Sequence, residues 1–358
     1  MKIAIGGDLS VTNENFRLFE EGNAEELFHD VLNLFNKSDN VIVNLECALT
    51  DKETPIKKFG PNLKGPVNAA KTMKKAGITN CILSNNHIFD FGKSGLSDTI
   101  KALEKAGIDY TGIGENVEAA RKNMILSDGK IRVAVLSVCE HEYSYALPDR
   151  VGAREYDPYD TSDDIVKAKA DADYVVVIYH GGKEHCRYPS PRLLKLCRSM
   201  IKHGADVVLC QHSHCIGCYE EYEGGHILYG QGNFHFVEKD PGVDDMEMWS
   251  TGLTVLLDFS DKCCISFIPV VSVDNCAIKL ADKTLKERML AELSQRSAKL
   301  ANGEWLHEWR KFCEDNKSAY IQPIMERDLD KIGHYLDCEA HTDVWREIFK
   351  TYNWTNEK

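Results

Sequence analysis

No stretch of the 358-residue chain approaches the roughly 20 consecutive apolar residues of a membrane-spanning helix, which excludes an α-helical span within it. No block of Lys and Arg interrupts a formal charge of −13. A phosphate backbone would be repelled without one, so broad nucleic-acid binding is excluded. A secretory leader is not recognisable: MKIAIGGDLS reaches a Gly-Gly-Asp turn before an apolar leader core can form. It reads as the first core strand, and a soluble, cytoplasmic protein is the expectation. An even cysteine count is also missing. The thirteen cysteines are spread along the chain, with Cys81, Cys210, Cys263 and Cys264 inside strand-like segments. That is the pattern of reduced, mostly buried thiols rather than of a disulfide framework. Gly112 and Gly114 lack the third glycine and the strand–helix setting of a dinucleotide loop, and Ser190 lacks a nucleophile-elbow sequence.

What is present is an alternation of strand and helix signals over the first 270 or so residues. Strands are expected at Lys2–Gly6, Val41–Leu45, Cys81–Leu83, Arg132–Val138, Tyr174–Tyr179, Val207–Cys210, His226–Tyr229, Thr251–Phe259 and Cys264–Val273. Most are continuous Val- and Ile-rich runs, as in strands covered on both faces. Between them, Ser190-Pro191 opens a helix with an apolar stripe at Leu193, Leu194, Cys197, Met200 and Ile201. Two further helices end at Gly77 and Gly107. From Leu280 the strand signal fades and helical periodicity takes over, with Trp305, Trp309 and Phe312 expected as buried anchors. An α/β domain over residues 1–275 and a helical extension over 276–358 follow.

Five strand-like runs end on residues able to hold a hard or borderline metal: Asp8, Glu46, Asn86 with His87, His180, and His212 with His214. Together they look like loops converging on the carboxyl edge of a sheet, where open α/β folds place ligands. Carboxylate, amide and imidazole donors suit Mn, Fe or Zn. A single His at a strand end is more often structural than ligating; five such tips shift the balance. Asn44 reads as a support for Glu46, and His141 as a loop residue on the same edge. Cys210, Cys215 and Cys218 read as structural thiols, because a lone Cys-x-x-Cys without a second pair is a weak zinc signal. Gly230, Gly232 and Asn233 read as a tight turn beside the metal loops.

The order Gly-Asp, Asn-Leu-Glu, Asn-Asn-His, a strand-terminal His-x-Gly, and His-x-His followed by Tyr-x-x-Gly-Asn-Phe resembles the CapA-type proteins of capsule and poly-γ-glutamate synthesis. These belong to the calcineurin-like metallophosphoesterases. The resemblance runs from about Lys2 to Phe236 and is most specific in SNNHIFDFG and in YHGGKE…GADVVLCQHSH…YGQGNF. It implies a four-layer αββα sandwich of metallophosphoesterase type. It also implies one or two divalent ions, with Asp8 and His214 on the first, Glu46 bridging, and Asn86, His180 and His212 on the second. His87 is left as a proton donor, with Asp90 orienting it, and Lys57 and Glu184 as contacts for an anionic substrate. One departure stands out. Where related phosphoesterases carry Asp-x-His, this chain has Asp8-Leu9-Ser10, so the first ion loses one imidazole and keeps His214. Ser10, water or substrate takes that place, or one ion binds firmly and the other weakly.

The expected function is a metal-dependent hydrolase acting on a phosphoester or on an amide of an anionic polymer. The alternative is a non-catalytic accessory protein that binds an acidic capsule precursor through its metal centre. An imidazole beside the ions but outside their ligand set, such as His87, is needed only by the former.

Overall fold

The computed structural model describes residues 1–140 and 143–350; His141 lies outside the described residues. All nine expected strands are present, several extended by a residue or more. Eight strands form the first sheet, in the order Ala277–Leu280, Cys264–Val273, Thr251–Asp258, Lys2–Leu9, Asn40–Leu45, Asn80–Ile82, Asp109–Thr111. The short strand Asn233–His235 also pairs with the end of Lys2–Leu9. Six form the second, in the order Tyr219–Tyr222, Gly225–Leu228, Val207–Gln211, Tyr174–His180, Arg132–Cys139, Met124–Ser127. The central strands of each sheet are parallel, so their carboxyl ends gather at one edge.

Alternating side chains explain why these strands are apolar throughout. Ile3, Ile5, Ile42 and Ile82 of the first sheet share a core with Val133, Val135, Val176, Ile178, Val207 and Leu209 of the second. The opposite face of the first sheet, including Ala4, Val41, Val43 and Cys81, is covered by Phe19, Leu27, Phe28, Met73, Leu96 and Leu103. That of the second, including Leu136, Val175, Val177 and Val208, is covered by Ile165, Leu193, Cys197 and Met200. The result is the four-layer αββα sandwich. Helix Pro191–Lys202 starts where the Ser-Pro pair indicated, the Ser190 hydroxyl accepting the Leu193 N–H at 3.0 Å.

The sheet outlasts the expected boundary at residue 275. Asp274 and Asn275 adopt φ of 52° and 54°, a turn that folds Ala277–Leu280 back antiparallel onto Cys264–Val273. The extension then begins at Lys283, with five helices among the described residues: Lys283–Asn302, Trp305–Asp315, Lys317–Glu326, Leu329–Asp337 and Glu339–Lys350. It packs on the sandwich directly, Met289 and Leu293 joining the inter-sheet core and Leu300 the outer one. Trp309 is buried with Cys186, Tyr320, Tyr335 and Val344, and Trp305 and Phe312 lie partly buried against that cluster. None of the thirteen cysteines is in a disulfide. No helix among the described residues is long and apolar enough to cross a membrane.

The first strand is pressed against the Tyr-Gly-Gln-Gly-Asn-Phe turn at the edge where the strand ends gather. A Cβ on Gly7 would lie 2.6 Å from the Gly232 carbonyl oxygen, a contact that only backbone movement relieves. Gly7→Ala is therefore expected to lower the unfolding free energy by about 1–3 kcal/mol, read as a reduced midpoint in urea denaturation.

Candidate metal centre

The parallel register brings the strand tips together across the two sheets. Asp8 stands opposite Asn44, which in turn stands opposite Ile82, just before the Ser84–His87 loop; His180 stands opposite Gln211, the residue before His212. Asp8, Glu46, Asn86, His180, His212 and His214 are all buried. They contain two overlapping ligand groups, Glu46–His180–His212 and Asp8–Glu46–His214, each with one donor atom per residue within 4.8 Å of the others. Glu46 is common to both. His212 and His214 reach these positions with φ of 82° and 52°, a left-handed backbone that β-carbon-bearing residues adopt only where the surroundings enforce it.

The donor geometry fits an ion. His180 Nε2 lies 2.9 Å from Asn86 Oδ1 and 3.3 Å from Glu46 Oε1. Donors that share one ion at bonds of about 2.0–2.2 Å stand about 3 Å apart. Glu46 is fully buried, and its carboxylate pairs with the His180 ring across the cluster. A buried carboxylate is expensive unless a cation compensates it, which a protonated ring or a metal ion can do. Nitrogen and oxygen donors without thiolate suit Mn, Fe or Zn.

Asn44 and Asn85 hold the cluster. The Asn44 amide donates to Asp8 Oδ1 at 2.7 Å and stands 2.9 Å from His180 Nδ1. Asn85 donates to Asn44 Oδ1 and to the Leu45 carbonyl, both at 2.9 Å, and accepts the His87 N–H at 3.1 Å. One amide thus ties the Glu46 loop to the Asn86–His87 loop. The Asp8 carboxylate also accepts the His212 N–H at 2.9 Å, and His214 Nδ1 lies 2.8 Å from Asn233 Oδ1.

Electrostatics follow from this crowding. Burial pushes the Asp8 carboxyl up, but the His180 and His214 rings and the Asn44 amide outweigh it and hold it at about 2. Burial pulls His180 down, and the Glu46 and Asp8 carboxylates overcome that and raise it to about 10. His214 is raised for the same reason, burial being outweighed by Glu46, Asp8 and Glu184. In the metal-free protein both rings are thus biased toward their protonated forms, His180 the more clearly.

His87 is in neither ligand group. Its Nδ1 lies 2.7 Å from Asp90 Oδ2, and Asp90 is fully buried, accepting the Leu63 N–H at 2.7 Å. The lysine brought to this pair is Lys58. Its Nζ lies 2.5 Å from Asp90 Oδ1 and 3.0 Å from His87 Nδ1, with 2 % of the side chain exposed. Lys57, the expected anion contact, is exposed on the neighbouring position. In an extended loop adjacent residues face opposite ways, and motif spacing could not say which faced in. Glu184 lies beside the centre with 40 % of its side chain exposed, 3.3 Å from Lys183. Burial pushes Glu184 up, but Lys183, His212, His214 and His185 hold it well below the usual carboxylate range.

At the position left without an imidazole, Ser10 is fully buried and its N–H bonds the His235 carbonyl at 3.0 Å. His235 is no substitute. Its ring packs against Phe19 and Phe28 and its Nε2 faces the Leu27 carbonyl at 3.2 Å. Cys215 and Cys218 are buried near His214 but belong to neither ligand group.

Comparison with known proteins agrees with these motifs. The Capsule biosynthesis protein CapA of Bacillus anthracis is 31% identical over 265 residues, covering 70% of this chain and 64% of that protein. The PGA biosynthesis protein CapA of Bacillus subtilis (strain 168) is 29% identical over 241 residues, covering 64% and 62%. The chain thus spans under two thirds of the length of either relative. A hypothetical protein from Thermus thermophilus, of known crystal structure, aligns at 15% identity and a TM-score of 0.47, over 75% of this chain and 98% of that one. Residues 2–238 match the family described as Bacterial capsule synthesis protein PGA_cap, and the chain belongs to that family.

Proposed function

We propose that the protein is a metal-dependent hydrolase that cleaves a phosphoester or an amide linkage in an anionic polymer of capsule or poly-γ-glutamate synthesis. The observation that carries this reading is Glu46, a fully buried carboxylate common to two ligand groups, together with His87, an imidazole that belongs to neither. Asp8, Glu46, Asn86, His180, His212 and His214 would hold one or two divalent ions, Mn, Fe or Zn. Such ions lower the pKa of a coordinated water and neutralise charge developing on oxygen.

The chain's own residues supply the rest. His87, held at Nδ1 by Asp90 and flanked by Lys58, presents its other nitrogen for proton donation to the departing group. The Lys58–Asp90 pair is buried and fixes the ring before substrate arrives. Lys57 and Glu184 are the proposed substrate contacts, Lys57 as the exposed cation of its loop and Glu184 as a hydrogen-bond acceptor beside the histidines.

The test is a panel of phosphomonoesters, phosphodiesters and γ-glutamyl peptides with added Mn2+. His87→Ala is expected to keep its metal, measured by inductively coupled plasma mass spectrometry, while turnover falls by about 10²–10⁴-fold. His180→Ala is expected to lose metal. Activity of the unaltered protein on none of these substrates, with tight binding of poly-γ-glutamate, would replace the hydrolase by a non-catalytic accessory role. Unchanged turnover in His87→Ala would remove this residue from the mechanism.

A further inference from the structure

The turn that follows His180 is held from the far end of the chain. Gly182 has φ of 99°, and its N–H donates to Glu140 Oε2 at 2.9 Å. Glu140 packs flat on the preceding residue: a Cβ on Gly181 would lie 2.5 Å from Glu140 Cγ and 2.6 Å from its Cδ. The other oxygen, Oε1, accepts from the Tyr179 hydroxyl at 2.5 Å and from the Arg192 guanidinium. Arg192 Nε donates in turn to Asp343 Oδ2 at 2.8 Å, and the Ser190 hydroxyl donates to the same oxygen at 2.6 Å. Glu140 and Asp343 are buried, with 4 % and 5 % of their side chains exposed. Asp343 belongs to the helix Glu339–Lys350, more than a hundred residues beyond the end of the family match at residue 238.

We infer that the helix Glu339–Lys350 positions the metal-binding turn at His180, through the relay Asp343–Arg192–Glu140 ending on the Gly182 N–H. Physically, Arg192 bridges two carboxylates that would otherwise repel each other, and its planar fork fixes where Glu140 sits. Glu140 then decides the path of the Gly181–Gly182 backbone, and with it the direction in which His180 leaves its strand. Without Asp343 the guanidinium loses one of its two anchors, and the Arg192 side of the Glu140 carboxylate is no longer held in place. Asp343 and Arg192 are positioning residues: they act through Glu140 and touch neither ion nor substrate. The inference rests on the metal-centre reading above and does not depend on which bond is cleaved.

The test is Mn2+ binding to the full chain by isothermal titration calorimetry, paired with the melting temperature of the metal-free protein. Asp343→Ala is expected to weaken Mn2+ binding by about 10–100-fold, the usual effect of removing a group that orients a ligand, with Asp343→Asn intermediate. Asp282→Ala removes the N-terminal cap of the helix Lys283–Asn302, where Asp282 accepts the Leu285 N–H at 2.9 Å. It serves as the stability control, expected to lower the melting temperature with Mn2+ affinity unchanged. If Asp343→Ala does not fold, Arg192→Lys gives the same reading, because it keeps the charge and loses the fork. A folded Asp343→Ala or Arg192→Lys protein that melts lower yet binds Mn2+ like the unaltered chain overturns the inference and leaves the helix a structural brace. An unaltered chain that binds no Mn2+ overturns the metal-centre reading and this inference with it.

Discussion

Glu46→Gln is expected to abolish stable divalent-metal binding at both ligand groups, whereas a substitution at His214 or His212 removes one. The two groups meet only at this residue. Gln matches Glu in shape but offers one neutral oxygen in place of two charged ones, so it cannot bridge two cations. Two consequences are measurable. Metal content after incubation with Mn2+ and desalting should fall to background. The stabilisation that Mn2+ gives the folded protein, about 2.7 kcal/mol at a hundredfold excess over Kd, should disappear from thermal unfolding. A Glu46→Gln protein that retained one ion at the original affinity would show that the two groups do not depend on a shared carboxylate.

Mn2+ affinity is expected to rise with pH between about 7 and 10, by up to tenfold per unit for each proton displaced. The cause is His180. Burial lowers its pKa, and Glu46 and Asp8 outweigh burial and raise it to about 10, so in the metal-free protein the ring is protonated at neutral pH. An imidazolium cannot ligate, so the ion must displace its proton. Calorimetric titration at pH 8 in two buffers of different ionisation enthalpy should therefore give different apparent heats, with one or more protons released per ion. Stability in the absence of metal changes with the opposite sign. A histidine whose pKa is raised from 6.5 to about 10 on folding contributes stability that is complete below pH 6.5. That contribution is lost as pH rises toward 10, and is on the order of a few kcal/mol. In EDTA the urea midpoint should fall over this range, and His180→Asn should flatten the fall. Apparent heats independent of buffer would show that the ring is already neutral when the ion arrives.

Much of the fold was legible because its signals are local. The runs at Val41–Leu45, Tyr174–Tyr179 and Val207–Cys210 are apolar at every position but a few, a pattern that requires cover on both faces, and both faces are covered. Ser190-Pro191 announced a helix start that its own hydroxyl caps. The helices before the second strand, Phe16–Glu21, Ala24–Phe28 and Val31–Phe35, were not anticipated, since five- and six-residue helices complete too few turns to show a periodicity. The strand Ala277–Leu280 escaped for a similar reason: four residues with Lys279 among them carry little strand signal, and pairing with Cys264–Val273 supplies what propensity does not.

The candidate site divides along the same line. By itself the sequence determined which residues could serve as donors and where they stand along the chain. Strand tips are set by local hydrophobic patterning, and the motif order names Asp8, Glu46, Asn86, His87, His180, His212 and His214. The resemblance implied a shared Glu46 and an unliganded His87; tertiary structure alone decided that Lys58 and not Lys57 stands beside His87, and that Asn85 ties two loops together. It also decided that Asp343 reaches the His180 turn through Arg192 and Glu140. The physical reason is the same in each case. Hydrogen bonds and ion pairs depend on separations of about 3 Å between groups up to some 200 residues apart in the chain, as between Asp8 and His212. That closeness is set by the packing of two sheets and a helical extension, not by any local run of residues.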